Sequence, residues 1–554
     1  MPGQEGMPVT EAVAAVLTNL GADTVFGVVG SGNFKVTNAL IGRGARYLAA
    51  RHEGGAAVMA DAWARMSGRP GILSVHQGPG LTNAMTGITE AAKSRTPLVV
   101  LAADVASAAV RSNFRIDVAA LATSVGATAF RLHSPGFAVD DTMRAYRTAA
   151  HDRRTVVLAL PLDVQAGACE LPAIGPLGPA PVAQPAPAAV ASLAGALREA
   201  RRPVFIAGRG ARIAGAGPDL QRLAGRCGAL LATSAAGKGL FRGSPWDLDI
   251  SGGFASPLAA ELIFHADLVV GWGCSLNMWT LRHGKLIGPD AVVVQVDREQ
   301  DAIGAHRPVQ LGVTGDVGLT ARAVSDLLGG QDGSDVGYRS AALRDRIAGE
   351  ARWRDVPYDD ESDDRRIDPR TLTIALDDML PADRVVAVDS GNFMGYPSMY
   401  LSVPDADGFC FTQAYQSIGL GLASAIGSAI ARPDRLTVAA LGDGGALMGI
   451  SELETVVRLG LPIVVVVYDD EAYGAEVHHF GPDGDPLDTV RFPPADIAEI
   501  GRGFGCDGVT VRGTGDLGPV RKWLDGPRER PLVIDAKVTS QHGSWWLEEA
   551  FRGH

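Results

Sequence analysis

Two acidic positions in the last third of the chain could bind a metal ion together. Asp443 lies within Gly442-Asp443-Gly444-Gly445, and Asp470 ends an Asp469-Asp470 pair 27 residues later (470 − 443). Between them, Ser451-Glu-Leu-Glu454 is a predicted capping box at the start of a short helix, and the apolar run over 463–468 predicts a strand. An apolar run without alternation is typical of a parallel strand that is buried on both faces.

In such a sheet both acids would follow strands, at the edge where open α/β folds bind ligands. Carboxylate oxygens suit Mg²⁺, which takes few protein ligands and completes its coordination with phosphate oxygens. Glycines at a helix start let backbone amides approach a phosphate closely. The segment therefore predicts a site for a metal ion and a diphosphate.

Residues 442–470 resemble the cofactor signature of thiamine-diphosphate enzymes, in the branch that contains acetolactate synthase, pyruvate decarboxylase and benzoylformate decarboxylase. The resemblance implies thiamine diphosphate and Mg²⁺ as cofactors, with Asp443, Asp470 and the backbone oxygen of Ala472 as metal ligands. That family usually has Asn-Asn where this chain has Asp469-Asp470. Because amide and carboxylate oxygens both ligate Mg²⁺, we expect metal binding to persist, with added negative charge beside a polyanionic cofactor.

Near the N-terminus, Arg51-His52-Glu53 follows a predicted strand and precedes a predicted helix. An acid at this position could simply be favoured by the helix dipole. With the small residues of 54–57 and with Ala64-Arg65 behind it, however, the segment resembles the family's catalytic segment. The resemblance implies that Glu53 binds the cofactor's aminopyrimidine and promotes loss of the thiazolium proton, while the cofactor carries the organic chemistry.

Two further residues of the first part are candidate catalytic groups. His76 begins His76-Gln-Gly-Pro-Gly-Leu-Thr-Asn83, which matches a family turn, and its spacing of 23 residues from Glu53 (76 − 53) resembles that of benzoylformate decarboxylase. Ser31, in Gly30-Ser31-Gly32-Asn33, resembles the active-site serine of the same enzyme. The alternatives are a structural histidine at a strand end and a serine with only a turn role.

In the last part, the resemblance implies several cofactor contacts. It implies that Ile418 holds the cofactor in a bent conformation; the alternative is that Ile418 is an ordinary core residue. It implies that Glu476 and His479 reach the substrate pocket, whereas His478 is expected to be exposed; a solvated helix charge is the alternative for Glu476. The remaining predicted cofactor-binding residues are Gly391, Asn392, Gly442, Asp443, Gly444, Gly445 and Tyr473.

Composition limits the partners. The chain of 554 residues has 50 basic and 62 acidic residues, a net charge of −12, and no long basic run, so nucleic acid and anionic membrane are not expected partners. Its five cysteines are scattered without metal-ligand spacing, which favours a reducing compartment. With no signal-like N-terminus and no apolar run of 18 residues, we expect a soluble cytoplasmic protein.

Strand-like and helix-like segments alternate through three blocks, which predicts an α/β protein of three doubly wound parallel-sheet domains. We place a pyrimidine-binding domain at 1–170, a central domain at 190–330 and a diphosphate-binding domain at 369–554. The proline-rich stretch 171–189 and the stretch 331–368, which starts in a glycine-rich break, are predicted linkers. Gly543-Ser-Trp-Trp-Leu547 is a candidate closing lid, with simple packing as the alternative.

The resemblance to thiamine-diphosphate enzymes, taken over nearly the whole chain, implies decarboxylation of a 2-oxo acid, with transfer of the acyl carbanion to a carbonyl acceptor or to a proton. A lyase acting on a 2-hydroxy ketone or a 2-hydroxyacyl thioester is the alternative, and a cofactor-free structural paralogue is the non-enzymatic one. FAD is not indicated, because residues 273–280 lack the segment typical of acetolactate synthases. In family members each active site lies between two subunits, which predicts a homodimer or homotetramer.

Overall fold

The protein is described by a computed structural model over residues 6–329 and 337–547. Within these ranges the chain forms three six-stranded parallel sheets, each flanked by helices. The predicted α/β architecture of three doubly wound domains is confirmed.

The first sheet has the strand order β3-β2-β4-β5-β7-β6, and a short antiparallel ribbon joins β1 to β8. The strands are β1 (Met7–Pro8), β2 (Thr24–Gly27), β3 (Arg46–Ala49), β4 (Gly71–Val75), β5 (Leu98–Asp104), β6 (Thr128–Arg131), β7 (Thr155–Pro161) and β8 (Ala168–Cys169). The helices are α1 (Val9–Asn19), α2 (Phe34–Gly42), α3 (Glu53–Ser67), α4 (Pro79–Lys93), α5 (Val118–Ser124), α6 (Ala138–Asp152) and α7 (Leu162–Gln165).

The central sheet has the order β11-β10-β9-β12-β13-β14. Its strands are β9 (Pro203–Ala207), β10 (Leu230–Thr233), β11 (Asp247–Ile250), β12 (Leu268–Trp272), β13 (Val292–Asp297) and β14 (Leu311–Thr314). The helices are α8 (Pro187–Glu199), α9 (Arg209–Ile213), α10 (Gly217–Cys227), α11 (Pro257–Phe264) and α12 (Val317–Leu328), and α13 (Ala341–Glu350) follows the sheet.

The third sheet has the order β16-β15-β17-β18-β20-β19. Its strands are β15 (Arg384–Val388), β16 (Phe409–Phe411), β17 (Leu436–Gly442), β18 (Ile463–Asp469), β19 (Asp507–Val511) and β20 (Leu532–Lys537). The helices are α14 (Pro369–Met379), α15 (Gly395–Tyr400), α16 (Gly421–Ala431), α17 (Asp443–Met448), α18 (Glu452–Arg458), α19 (Gly474–Phe480), α20 (Ile497–Phe504) and α21 (Gly518–Asp525).

The apolar strand over 463–468 is buried on both faces, as its lack of alternation predicts. Val465 and Val467 belong to one hydrophobic core, and Val464 and Val466 belong to the core on the opposite face of the sheet. The helix α18 forms where expected, but Ser451 makes no side-chain capping hydrogen bond. The predicted capping box is therefore wrong in its contact.

The two predicted linkers are more ordered than their composition indicates. The proline-rich stretch is irregular up to Ala186, and α8 begins inside it at Pro187, because proline is tolerated in the first helical turn. The second stretch contains α13, whereas the break at 330–336 lies outside the described residues. The proposed domain boundaries stay predictions.

The first and third domains share one hydrophobic core, formed largely where α3 packs on α16. The helices approach so closely that a Cβ atom at Gly427 would lie 2.3 Å from the carbonyl oxygen of Met59. All five cysteines are buried free thiols. Among the described residues, no helix combines the length and the apolar character that crossing a membrane requires.

A buried charge network also joins these two domains. Arg65 on α3 forms ion pairs of 2.8 Å with both Asp61 and Glu90, whose side chains are fully buried. Glu90 accepts hydrogen bonds from the backbone N–H groups of Ala414 and Tyr415 in the third domain. Arg65 therefore balances two buried carboxylates at the contact between the domains.

Replacing Arg65 by Met should lower the free energy of unfolding by about 3–5 kcal/mol, because Asp61 and Glu90 lose their shared cation while they remain buried. The measurement is denaturant unfolding followed by tryptophan fluorescence. Arg346→Met is the control, because Arg346 pairs with Glu261 on the surface, where solvent screens the interaction, and its loss should hardly change the stability. Equal effects of the two substitutions would contradict the structural role of the buried network.

Candidate active site

Glu53 is the first residue of α3, which begins directly after the loop that follows β3. One of its carboxylate oxygens accepts a hydrogen bond of 3.0 Å from Nδ2 of Asn83 on α4. The residues before Glu53 are fixed from the third domain: Glu452, which is 2% exposed, accepts N–H bonds of 3.1 Å from both Arg51 and His52. The position of Glu53 thus depends on a contact with residues about 400 positions away in the chain.

His76 and the loop that carries Ser31 lie side by side at the ends of β4 and β2, which are neighbouring strands. The backbone N–H of Gly32 donates a hydrogen bond of 3.1 Å to Nδ1 of His76. The neutral imidazole therefore carries its proton on Nε2. The ring of Phe114 packs edge-on against His76 at a centroid distance of 5.3 Å, and Ser31 is exposed.

Asp443 and Asp470 face each other at the ends of β17 and β18. Burial, together with the carboxylates of Asp470 and Asp469, raises the pKa of Asp443 to about 8. Burial and Asp469 raise the pKa of Asp470 to about 7, against hydrogen bonds from the Ala472 backbone and the Asp443 carboxyl. Two buried carboxyl groups whose pKa values are both raised have the charge and the oxygen atoms that a divalent cation needs.

The adjacent Asp469 lines the cavity beside Asp443 but binds a cation of its own. Its side chain is 1% exposed and forms an ion pair with Lys537, which lies directly opposite it on β20. The expected negative charge of Asp469 therefore lies beside the predicted metal site. The charge still contributes to the raised pKa of Asp443, but a buried cation balances it within the sheet.

The loop after β15 carries two predicted cofactor-binding residues, Gly391 and Asn392. Gly391 has φ +138°, a conformation that favours glycine. Asn392 is buried beneath the C-terminal segment: its Oδ1 accepts from the N–H of Ser544 at 2.9 Å, and its carbonyl accepts from Nε1 of Trp546 at 2.9 Å. The candidate lid is thus docked against the candidate diphosphate loop.

The glycines that surround Asp443 are required by close neighbours rather than by turns alone. A Cβ at Gly444 would lie 2.5 Å from the ring of Tyr473, and a Cβ at Gly445 would lie 2.4 Å from a carboxylate oxygen of Asp389. Gly442, at the end of β17, faces the ring of Phe393 in the same way. These positions bring the backbone of α17 against the loops of the predicted site.

Asp389 connects the two loops of the predicted cofactor site. This fully buried carboxyl accepts N–H bonds from Ser390, Gly419 and Leu420, and burial raises its pKa to about 6. Ile418 precedes Gly419 and is only partly buried, outside the hydrophobic cores. An ordinary core position for Ile418 is therefore not what the structure shows.

Glu476, His478 and His479 lie on α19, and the exposure of one of them differs from the expectation. Glu476 is exposed and His479 is partly buried, with its ring 4.5 Å from that of Phe480. His478, which was expected to be exposed, is partly buried instead, because the C-terminal segment passes over it at Gly543. The prediction of an exposed His478 is wrong, since the sequence gives no sign of where the tail packs.

The predicted residues thus form two groups. Ser31, Glu53 and His76 surround the ends of β2, β3 and β4 in the first domain. The other group surrounds the ends of β15, β17 and β18 in the third domain; it comprises Gly391, Asn392, Ile418, Gly442, Asp443, Gly444, Gly445, Asp470, Ala472, Tyr473, Glu476 and His479. Their roles stay predictions.

The third-domain group borders a cavity of about 290 Å³, lined by residues that include Asp443, Gly444, Tyr473, Phe492 and Met448. A larger cavity of about 850 Å³ lies in the first domain beside Arg115 and Arg131, and none of the predicted site residues lines it. The smaller cavity is the candidate site, because Asp443 lines it and faces Asp470 at the end of the neighbouring strand.

The residues present fit a metal ion held with a diphosphate. In the described part of the chain, no cluster of three or more His, Cys, Asp or Glu side chains fits a metal ion by itself. Asp443 and Asp470 supply only two side-chain ligands, the number expected where phosphate oxygens complete the coordination of Mg²⁺. The assignment of Mg²⁺ to this pair stays a prediction.

Nucleotide binding in the central domain has little room. The switch point between β9 and β12 holds a crevice of about 100 Å³, lined partly by Gly210 and Gly273. Those glycines touch, since a Cβ at Gly210 would lie 2.8 Å from the Cα of Gly273. Ligand pockets usually measure about 300–1,000 Å³. The absence of FAD remains a prediction.

Comparison with known proteins agrees with this organisation. Three domain families match in order: "Thiamine pyrophosphate enzyme, N-terminal TPP binding domain" at residues 7–121, the central domain at 190–324 and the C-terminal TPP binding domain at 389–536. The chain belongs to the thiamine pyrophosphate enzyme family. It is thus an enzyme of the thiamine-pyrophosphate-dependent 2-oxo acid decarboxylase and carboligase type.

Relatives cover almost the whole chain. A "Sulfoacetaldehyde acetyltransferase" of Castellaniella defragrans is 28% identical, over 99% of this chain and 96% of its own length. A protein named "Probable 2-ketoarginine decarboxylase AruI" of Pseudomonas aeruginosa is 31% identical over 95% and 92%. The "Acetolactate synthase isozyme 2 large subunit" of Escherichia coli is 27% identical over 83% of each chain.

Replacing Glu53 by Gln should lower turnover by roughly 10²–10⁴-fold, the usual contribution of one acid/base group. Gln still offers an oxygen to Asn83, so the loop and the affinity for thiamine diphosphate should persist. Steady-state kinetics and cofactor titration measure the two effects. Glu11→Gln, a change in a surface ion pair with Arg43, is the control. Near-full activity of Glu53→Gln would remove this residue from the mechanism.

Asp470→Asn should retain activity, because the amide keeps an oxygen ligand and restores the family's usual residue. It should also raise the melting temperature of the metal-free protein, since one of two facing carboxyl groups is removed. Asp470→Ala should lose metal and cofactor together. Calorimetric titration with Mg²⁺ and thiamine diphosphate checks these outcomes. Undiminished Mg²⁺-dependent cofactor binding by Asp470→Ala would show that the metal assignment is wrong.

Proposed function

We propose that the protein uses thiamine diphosphate and Mg²⁺ to decarboxylate a 2-oxo acid and to pass the acyl carbanion to a carbonyl acceptor, as acetolactate synthases do, or to a proton. The observation that carries this proposal is the Asp443–Asp470 pair at the sheet edge, in a chain that belongs to the thiamine pyrophosphate enzyme family. A cofactor-free paralogue would have no use for two unpaired buried carboxylates.

When bound, thiamine diphosphate supplies the carbon nucleophile and stabilises the carbanion formed by loss of carbon dioxide. Glu53 holds the proton that activation requires, and Asn83 orients its carboxylate. Asp443 and Asp470, with the carbonyl of Ala472, hold the metal ion and hence the diphosphate. Tyr473 lines the cavity beside Asp443, and Gly391, Asn392 and Ile418 would contact the cofactor from the loops that Asp389 connects.

His76 is suited to donating a proton in this site. Because Nδ1 accepts from Gly32, the free Nε2–H can hydrogen-bond a substrate carboxylate or a developing oxyanion. The exposed Ser31 lies beside it, and Glu476 and His479 approach from the other group. These residues would decide whether the carbanion is protonated or attacks a second carbonyl.

Both groups carry exposed apolar side chains, which supports closure of the site by a second copy of the chain. Val29, Phe34 and Phe114 lie near the first group, and Leu447, Met448 and Phe492 lie near the second. Exposed apolar surface of this kind marks an interaction site. We propose a homodimer or homotetramer in which the first domain of one subunit meets the third domain of another.

Subunit complementation tests this arrangement. Glu53→Gln and Asp470→Ala affect different groups, so a mixed dimer would regain one site with both residues intact. Co-expression of the two inactive variants should restore activity if the site lies between subunits. No recovery in verified mixed dimers would place each site within one chain.

The substrates can be identified by incubating the protein with a panel of 2-oxo acids and aldehydes and determining the products by mass spectrometry. The relatives' names include a decarboxylase, an acetyltransferase and acetolactate synthases, so both fates of the carbanion belong in the panel. Cleavage of a 2-hydroxyacyl compound without release of carbon dioxide from any 2-oxo acid would favour the lyase alternative.

His76→Ala and Glu476→Gln should leave the melting temperature and the cofactor affinity nearly unchanged, yet change the ratio of released aldehyde to carboligation product. The reason is that both side chains would contact the acyl group rather than support the fold. Chromatography of the products, alongside thermal melts, measures the effect. His306→Ala, an exposed histidine of the central domain, is the control. Unchanged rate and product ratio in both variants would exclude these residues from catalysis.

A further inference from the structure

Three charged side chains lie together at the carboxyl ends of β18 and β20, just beneath the turn that carries Asp470. The strand register pairs Asp469 with Lys537 and Val467 with Asp535, so the three charged residues share one face of the sheet. Asp469 and Asp535 are 1% and 0% exposed, and Lys537 is 8% exposed. This set is called the Lys537 cluster below.

Lys537 is the cation of this cluster, in which only Oδ1 of Asp535 has no hydrogen-bond partner among the side-chain oxygens. Its ammonium group forms ion pairs with Asp469 and, at 3.1 Å, with Asp535, and it donates a third bond of 2.8 Å to the carbonyl of Ala495. An ammonium group has three protons to donate, and all three are used. Without this cation the end of the sheet would contain two buried carboxylates with no partner of opposite charge.

The same carboxylate that binds Lys537 also holds the metal-site turn. The second oxygen of Asp469 accepts a hydrogen bond of 3.0 Å from the N–H of Glu471. Glu471 has φ +59°, a left-handed conformation that non-glycine residues rarely adopt and that must be held by its surroundings. Asp470 lies between Asp469 and Glu471, so its direction follows from this hydrogen bond.

A second cation fixes the other side of the turn. Arg366 pairs with the Glu471 carboxylate at 2.7 Å and donates to the carbonyl of Val538, the residue after Lys537, at 3.0 Å. The turn is therefore held from both sides by residues that follow or neighbour β20. Asp470, between these two anchored residues, faces Asp443.

On the assumption that Asp443 and Asp470 bind Mg²⁺ as the proposed function requires, we propose that Lys537 is a positioning residue for the metal site. It neutralises Asp469 within the sheet and keeps the Asp469–Glu471 hydrogen bond in place, which directs Asp470 towards the cation. The Asp469–Asp470 pair thereby performs the task for which the family usually has Asn-Asn.

The sign of the effect of removing Lys537 makes the proposal testable. Loss of a nearby positive charge should by itself strengthen the binding of a cation. Loss of a residue that orients a metal ligand should instead weaken it, typically by 10–100-fold. We expect Lys537→Met to weaken Mg²⁺ binding by about 10–100-fold at saturating thiamine diphosphate. Calorimetric titration of the metal-free protein with Mg²⁺ measures it.

A rescue variant separates positioning from general destabilisation. In Asp469→Asn/Asp535→Asn/Lys537→Met the amide at position 469 still accepts from Glu471 and no buried carboxylate of the cluster lacks a cation, so Mg²⁺ affinity should return to within about threefold of wild type. Asp469→Asn alone should also bind normally, because Lys537 retains Asp535. Lys522→Met, at an exposed lysine on α21, is the matched control. Thermal melts of the metal-free variants accompany each titration.

Tighter or unchanged Mg²⁺ binding by Lys537→Met, or a triple variant as weak as the single one, would overturn the positioning role. A lower melting temperature with unaltered affinity would show a purely structural cluster. If Lys537→Met does not fold, Lys537→Arg carries the test: it keeps the charge, moves the donors, and should bind Mg²⁺ more weakly. Failure of the wild-type protein to bind Mg²⁺ with thiamine diphosphate would instead overturn the proposed function on which this role rests.

Discussion

The facing carboxyl groups of Asp443 and Asp470 are the constraint on which the site depends. Elsewhere, the buried acids discussed above have partners: a buried carboxylate binds Arg65 or Lys537, or accepts several backbone N–H groups, as Asp389 and Glu452 do. Burial of an unpaired charge costs several kcal/mol, so such pairing is the rule. The one acidic pair without a cation is therefore a place where the fold gives up stability for function.

The surrounding structure holds the Asp443–Asp470 pair in place. Asp389 ties the loop after β15 to the residues before α16, and the Lys537 cluster holds the turn after β18. The C-terminal segment covers Asn392. Each contact uses backbone groups or fully paired charges, which fixes positions without competing for a bound cation. A site formed in this way is rigid before its ligand arrives, which lowers the cost of binding.

Sequence patterns predict much of this fold because parallel strands and glycine-dependent loops depend on local composition. The strand at 463–468 and the loops around Glu53 and Asp443 form at or near the predicted positions. Side-chain partners cannot be predicted from local composition, because they depend on tertiary packing. Nothing local predicts that Glu452 binds the backbone before Glu53, that Lys537 faces Asp469, or that Ser544 covers Asn392. The sequence feature that indicates such a contact is a charged residue, Asp469, at a position where an amide is usual in the family.

Position 469, where this chain has a carboxylate in place of the family's usual amide, shows why such a residue is informative. A buried Asn needs only hydrogen bonds, whereas a buried Asp needs a countercharge as well. In a parallel sheet the neighbouring strand supplies the nearest side chain at the same register, and here that residue is Lys537. The substitution and its compensation thus form one unit that spans 68 residues of sequence. An acidic residue at this position can therefore be interpreted only together with the residue opposite it on β20.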